Sequence, residues 1–208
     1  MSQETPQTIH LKDYTAPAYW VDTVELDIDI QAGATVVTAT QACRRNPAVP
    51  VQPLVLDGEE LETLSVAVDG QPLAPTAYAV SDSQLTLDPL PERFTLTTVV
   101  RINPDANTRL SGFYRSKDGY FTQCEAQGFR RITWFADRPD VMARFTVTLH
   151  ADKTTYPVLL ANGNPVAQGD EADGRHYATW EDPFKKPCYL FAMVAAKLDV
   201  LRDTFATA

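Results

Sequence analysis

Residues 24–30 read VELDIDI. Val24, Leu26, Ile28 and Ile30 alternate with Glu25, Asp27 and Asp29, so an extended chain sends its apolar and acidic side chains to opposite faces. One face is dry and the other wet, as in a half-buried strand. The period persists on either side. After a turn at Gly33, residues 35–42 continue with β-branched and small side chains. Leu64, Val66 and Val68 alternate ahead of Asp69-Gly70, a hairpin signal. Phe94, Leu96, Thr98, Val100 and Ile102 repeat the pattern, as do Phe145, Val147 and Leu149. Shorter strands are predicted at 156–161, 165–169, 177–180 and 189–195, separated by turns at Asn162-Gly163-Asn164, Asp173-Gly174 and Asp182-Pro183. Nothing longer than a turn has a helical period with caps, and 15 prolines would interrupt most helices. The chain therefore reads as all-β: a large bent antiparallel sheet, or a β-sandwich-like arrangement.

The organisation expected is a polar, extended N-terminal segment over residues 1–16 and a single β domain over 17–208, with no internal repeat or low-complexity linker. From Asp199 onward a strand runs out without a capped end. A formal net charge of -9 argues against nucleic acid and anionic lipid as partners, since both attract basic patches. The opening MSQETPQTIHLKDY has no basic region followed by an apolar run, and no run of about 18 apolar residues occurs. Neither a signal peptide nor a membrane span is expected, and the cytoplasm is the simplest location.

Chemistry is sparse. Cys43, Cys124 and Cys188 are far apart, odd in number and without a CxxC pair, which argues against a disulfide framework and a cysteine zinc site. His10, His150 and His176 have no partner three to five residues away, and no H-E-x-x-H occurs. Each reads as a strand-surface or turn residue, so no metal is expected on this chain. No G-x-S-x-G supplies a nucleophile, and Asn162-Gly163-Asn164 is a hairpin turn rather than a phosphate cradle. Cys124, near Arg130 and Arg131, reads as a buried packing residue.

The exception is Gln123-Cys124-Glu125, inside the mixed block FTQCEAQGFRRITWFADRPD at 121–140. If this piece is extended, Gln123 and Glu125 share a face and Cys124 points away into packing. An amide oxygen beside a carboxylate is a compact acceptor pair for a primary ammonium, which offers three donors and one charge. Alternatively, Glu125 pairs with Arg130 or Arg131 at the surface, and on spacing alone that is the simpler reading.

The residues carry more than their spacing. TQCEAQGFRRITWFADRPD at 122–140 closely resembles a segment of the bacterial aminopeptidase N family, the alanyl aminopeptidases of the zinc gluzincin metallopeptidase class. LKDYTAPAYWVD at 11–22, LVLDGEELETLSV at 54–66, residues 151–170 and residues 174–205 fit as well, so the likeness covers nearly the whole chain. The resemblance implies the bent β domain that precedes a thermolysin-like catalytic domain, here expected after residue 208. G-x-M-E-N and H-E-x-x-H, which that catalytic domain carries, are absent from these 208 residues. It also implies that Gln123 and Glu125 bind the free α-amino group of a peptide N-terminus, that zinc belongs to the intact enzyme, and that this chain alone is inactive. Arg130, Arg131, Asp137, Arg138 and Asp140 would form a salt-linked loop covered by Phe129, Trp134 and Phe135. Two other readings stand beside it: a stand-alone β-sandwich binding or interaction module without catalysis, and a purely structural support for a neighbouring domain.

Overall fold

In the computed structural model the structure describes residues 10–206. Residues 1–9 of the expected extended segment lie outside the described residues, and the rest of it holds a 3-10 turn at Leu11–Asp13. Fifteen strands follow. They are β1 (Tyr19–Gln31), β2 (Ala34–Arg45), β3 (Leu54–Asp57), β4 (Glu62–Val68) and β5 (Gln71–Pro72). Next come β6 (Tyr78–Val80), β7 (Gln84–Leu87), β8 (Arg93–Ile102), β9 (Gly112–Ser116) and β10 (Gly119–Gln123). The last are β11 (Met142–Asp152), β12 (Val158–Ala161), β13 (Asn164–Asp170), β14 (Arg175–Pro187) and β15 (Met193–Ala196). No helix among the described residues is long and apolar enough to cross a membrane.

The strands form an eight-stranded sheet ordered β13-β14-β11-β1-β2-β8-β4-β5, a four-stranded sheet β12-β15-β10-β9 and a three-stranded sheet β3-β7-β6. The large sheet is mixed rather than antiparallel throughout: β1 and β11 run parallel, with Val24 opposite Phe145 and Ile28 opposite Leu149. Parallel neighbours need a long crossover, and here the chain from β2 to β10 supplies it. A period of two marks the strands but not their relative direction.

Along β1 the expected split holds. Val24, Leu26, Ile28 and Ile30 are buried, and Glu25 and Asp27 are exposed. The β1–β2 and β4–β5 hairpins turn where expected; Asp69 and Gly70 both have positive φ, as a two-residue primed turn requires. Two turns differ. Asn162-Gly163-Asn164 does not close a hairpin, because β12 pairs with β15 while β13 pairs with β14. Asp182-Pro183 does not end a strand either: β14 runs through it, and its register against β11 jumps between Ala143 and Phe145. That bulge accommodates a proline, which cannot donate to the ladder. All three sheets share one apolar core, into which Phe129, Trp134, Phe135, Phe145 and Phe191 project.

Candidate site at the end of β10

Strand β10 lies between β15 and β9 and ends at Gln123, opposite Gly112. The chain then turns. Gly128 N–H donates to Cys124 O at 2.8 Å, closing residues 124–128 into a tight loop. A side chain at Gly128 would lie 2.4 Å from Gln123 O and 2.9 Å from Cys124 Cα, so only glycine lets the loop fold back on the strand end. Gly112, at φ +76, packs equally closely on Arg131 and on Gly128 O.

This geometry corrects one premise. Glu125 is in the turn, not on an extended strand, so the pleat does not place it beside Gln123. The turn brings the two together instead: Gln123 Nε2 donates to Glu125 O at 3.2 Å. Both residues are exposed, and Cys124 between them is buried. Burial, followed by the charge of Asp137, pushes the Cys124 thiol up to about 12, which makes it a packing group and not a nucleophile.

The ion pair between Glu125 and an arginine is not made. Arg130 Nε donates to Asp137 Oδ2 at 2.9 Å, and its Nη2 lies 3.8 Å from Asp57 Oδ2. Arg131 pairs with Glu59, and its Nη1 is 2.9 Å from Glu60 Oε2. Arg138 binds both oxygens of Asp140 and donates to Thr15 O. The salt-linked loop is therefore present, but it is closed by Asp57 at the end of β3 and by Glu59 and Glu60 in the loop that follows. Glu59 N–H donates to Arg130 O at 3.0 Å, and Asp57 exchanges backbone hydrogen bonds with Phe135. Sequence reading does not find this loop, since nothing in its spacing ties residue 59 to residue 131. Among the described residues no hydrogen bond or ion pair engages the Glu125 carboxylate or the Gln123 amide oxygen.

The remaining candidates stay apart. His10 is exposed, His150 lies between Asp27 and Glu171 at 3.2 and 2.8 Å, and His176 Nε2 is 2.8 Å from Tyr156 O. Among the described residues no group of three or more His, Cys, Asp or Glu could hold a metal ion, so the donor set here does not fit zinc. A cleft of about 370 Å³ lined by Pro17, Tyr19, Pro53, Leu54 and Arg138 does not include Gln123 or Glu125.

Comparison with known proteins decides the family. The peptidase M1 N-terminal domain model matches residues 17–190. The chain belongs to that family. This M1 N-terminal domain is 51% identical over 207 residues to aminopeptidase N of Escherichia coli (strain K12), covering 100% of this chain and 23% of that protein. It is 48% identical to aminopeptidase N of Caulobacter vibrioides, over 100% of this chain and 24% of the relative. The chain thus spans about a quarter of the length of the curated relatives it matches. Among solved structures, Legionella pneumophila aminopeptidase A in complex with aspartic acid superimposes with a TM-score of 0.86 at 32% identity, over 91% of this chain and 22% of that one. An M1 zinc metallopeptidase from Deinococcus radiodurans shares the fold of this M1 N-terminal domain, with a TM-score of 0.73 at 16% identity, over 86% of this chain and 42% of that one.

Proposed function

We propose that this M1 N-terminal domain supplies the amine-anchoring wall of a zinc aminopeptidase that removes N-terminal residues from peptides, with Gln123 and Glu125 as the anchor. The single observation that carries the reading is the Glu125 carboxylate. It is exposed at a tight turn and unengaged among the described residues, while Arg130, Arg131 and Arg138 nearby in the chain are all matched to other acids. An α-amine has a pKa of about 7.7–8.0, so an ammonium with three donors is available at neutral pH. Glu125 offers the charge and an acceptor, and the Gln123 amide oxygen offers a second acceptor. An acetylated or internal nitrogen has no charge and at most one N–H donor in place of three, so it leaves the carboxylate without a cationic partner when bound, which is how an exopeptidase rejects it.

Zinc, when bound in such an enzyme, activates water and polarises the scissile carbonyl. The described residues hold no donor set for it, so that chemistry is assigned to a catalytic domain following this one in the same chain. The relatives' greater length supports the assignment. The contiguous core from Tyr19 to Ala195 supports treating that span of the expected 17–208 domain as one unit.

The test is Glu125→Ala in the intact protein. A charge-assisted hydrogen bond contributes about 1.5–3 kcal/mol, so kcat/KM for a free-amine peptide is expected to fall about 10- to 150-fold. Unchanged kinetics would remove Glu125 from substrate recognition. The 208-residue chain alone, supplied with zinc, is expected to hydrolyse no peptide; turnover by the pure chain would relocate the chemistry.

A further inference from the structure

Behind the exposed turn lies a buried carboxylate that amine recognition does not use. The Asp137 side chain is 1% exposed. Its Oδ2 accepts from Arg130 N–H at 3.2 Å and from Arg130 Nε at 2.9 Å. Its Oδ1 accepts from Cys188 Sγ at 3.1 Å, and its own N–H donates to Asp57 Oδ2 at 3.2 Å. One residue therefore joins the 3-10 turn Phe129–Arg131, the 3-10 turn Cys188–Leu190 and the end of β3. The first of these runs straight into the amine-binding loop: Arg131 N–H donates to Gly128 O, and Gly128 N–H donates to Cys124 O.

We propose that Asp137 is a positioning residue for amine recognition: by locking Arg130 it fixes the 124–128 loop and with it the Glu125 carboxylate. The proposal rests on the amine-anchoring reading above. A carboxylate on a loop recognises an ammonium well only if its orientation is set before binding, because ordering it afterwards draws on the binding energy. No hydrogen bond or ion pair to the Glu125 side chain does this among the described residues, so orientation must come through the backbone. The backbone from Cys124 to Arg131 is held by the two glycine approaches and by Asp137. Alongside position there is field: the carboxylates of Asp57, Glu59, Glu60 and Asp137 face the guanidinium groups of Arg130, Arg131 and Arg109, the last 3.2 Å from Glu60 Oε1. Neutralising one of those carboxylates makes the surroundings less favourable to a cation.

A double-mutant cycle in the intact protein separates these contributions. Asp137→Asn keeps the shape and removes the charge. Arg130→Lys keeps every charge but removes the fork that grips Asp137. Each is measured with and without Glu125→Ala, using a free-amine dipeptide. Asp137→Asn and Arg130→Lys are each expected to raise KM about 3- to 10-fold with kcat within about 2-fold, and to change kcat/KM by less than about 2-fold once Glu125 is already alanine. Effects that multiply with that of Glu125→Ala would overturn the proposal, since a general weakening of the fold acts in either background. Loss with Asp137→Asn but none with Arg130→Lys would assign the effect to field and likewise overturn positioning. If Glu125→Ala alone changes nothing, the amine-anchoring reading falls and this proposal with it; a working Glu125 with an additive Asp137 sinks only the latter. Should Asp137→Asn fail to fold, Arg130→Lys tests positioning by the same two criteria, the rise in KM and its disappearance beside Glu125→Ala.

Discussion

Strand β1 and the 123–137 block both bury apolar side chains in the same core, yet they reach it by different routes. In β1 the pleat does the sorting: from Val24 to Ile30 every second residue goes inward, and Glu25 and Asp27 face water. In the block no period operates. Phe129, Ile132, Trp134 and Phe135 are buried while Arg130 and Arg131 between them are not free to leave, so each guanidinium must find an acid. Trp134 is held at three points: Gln41 donates to its carbonyl, its indole donates to Thr63, and Gly58 lies against its ring. A sheet tolerates substitution because its backbone hydrogen bonds do not depend on side chains. A knot of this kind does not, because side chains supply the bonds.

The largest expected effect is at that centre. Trp134→Ala should cost about 3–5 kcal/mol in urea unfolding and, in the intact protein, also weaken substrate binding. Ile28→Ala in β1 should cost about 2–5 kcal/mol and leave KM alone. Equal effects of both on KM would break the contrast. Next come the glycines. Gly128→Ala is expected to cost about 1–3 kcal/mol, since the new methyl would meet backbone atoms that cannot move aside. Gly33→Ala, at φ +72 in the β1–β2 turn but with open space around it, should cost about 1 kcal/mol. A larger loss at Gly33 would place the constraint in dihedral preference rather than packing.

Smaller differences should appear with pH. Burial, the largest influence, would raise the Asp22 carboxyl, but hydrogen bonds from Lys185 and Arg44 bring it below its ordinary value. Asp182 behaves likewise, with Lys186 and Phe184 N–H outweighing burial. For a lowered acid the unfolded chain binds more protons, so these contributions are present above about pH 4 and are lost as pH falls through the folded values. Asp57 in the knot has the opposite sign: burial raises it against the pull of Arg130, so its charge is a cost at neutral pH that protonation relieves. Asp22→Asn should therefore lower the Tm at pH 7, whereas Asp57→Asn should leave it unchanged or raise it. The reverse ranking would mean that Arg130 outweighs desolvation. The smallest effect belongs to Glu125→Ala, expected to stay within about 0.5 kcal/mol of the parent stability because its carboxylate supports nothing. A greater loss would reveal a structural partner.

The sequence by itself determined which strands bury which faces. Alternation is a local property, and it survives intact from Val24 to Ile30, from Phe94 to Ile102 and from Phe145 to Leu149. The block at 122–140, read through its family likeness, also singled out Gln123 and Glu125 as the pair to watch. Short strands such as β3, β7, β9 and β10 were not legible, because four or five residues carry little period; β12, equally short, was read from the turn that bounds it. Only the tertiary structure decided that β1 and β11 run parallel, that Asn162-Gly163 links two sheets instead of closing one, and that Glu59 and Glu60 take the arginine that Glu125 was free to claim. Those outcomes depend on residues about 30 to 120 positions apart becoming neighbours. A local pattern encodes what a side chain prefers to face, whereas a partner so distant in sequence is fixed only when the whole chain has closed around one core.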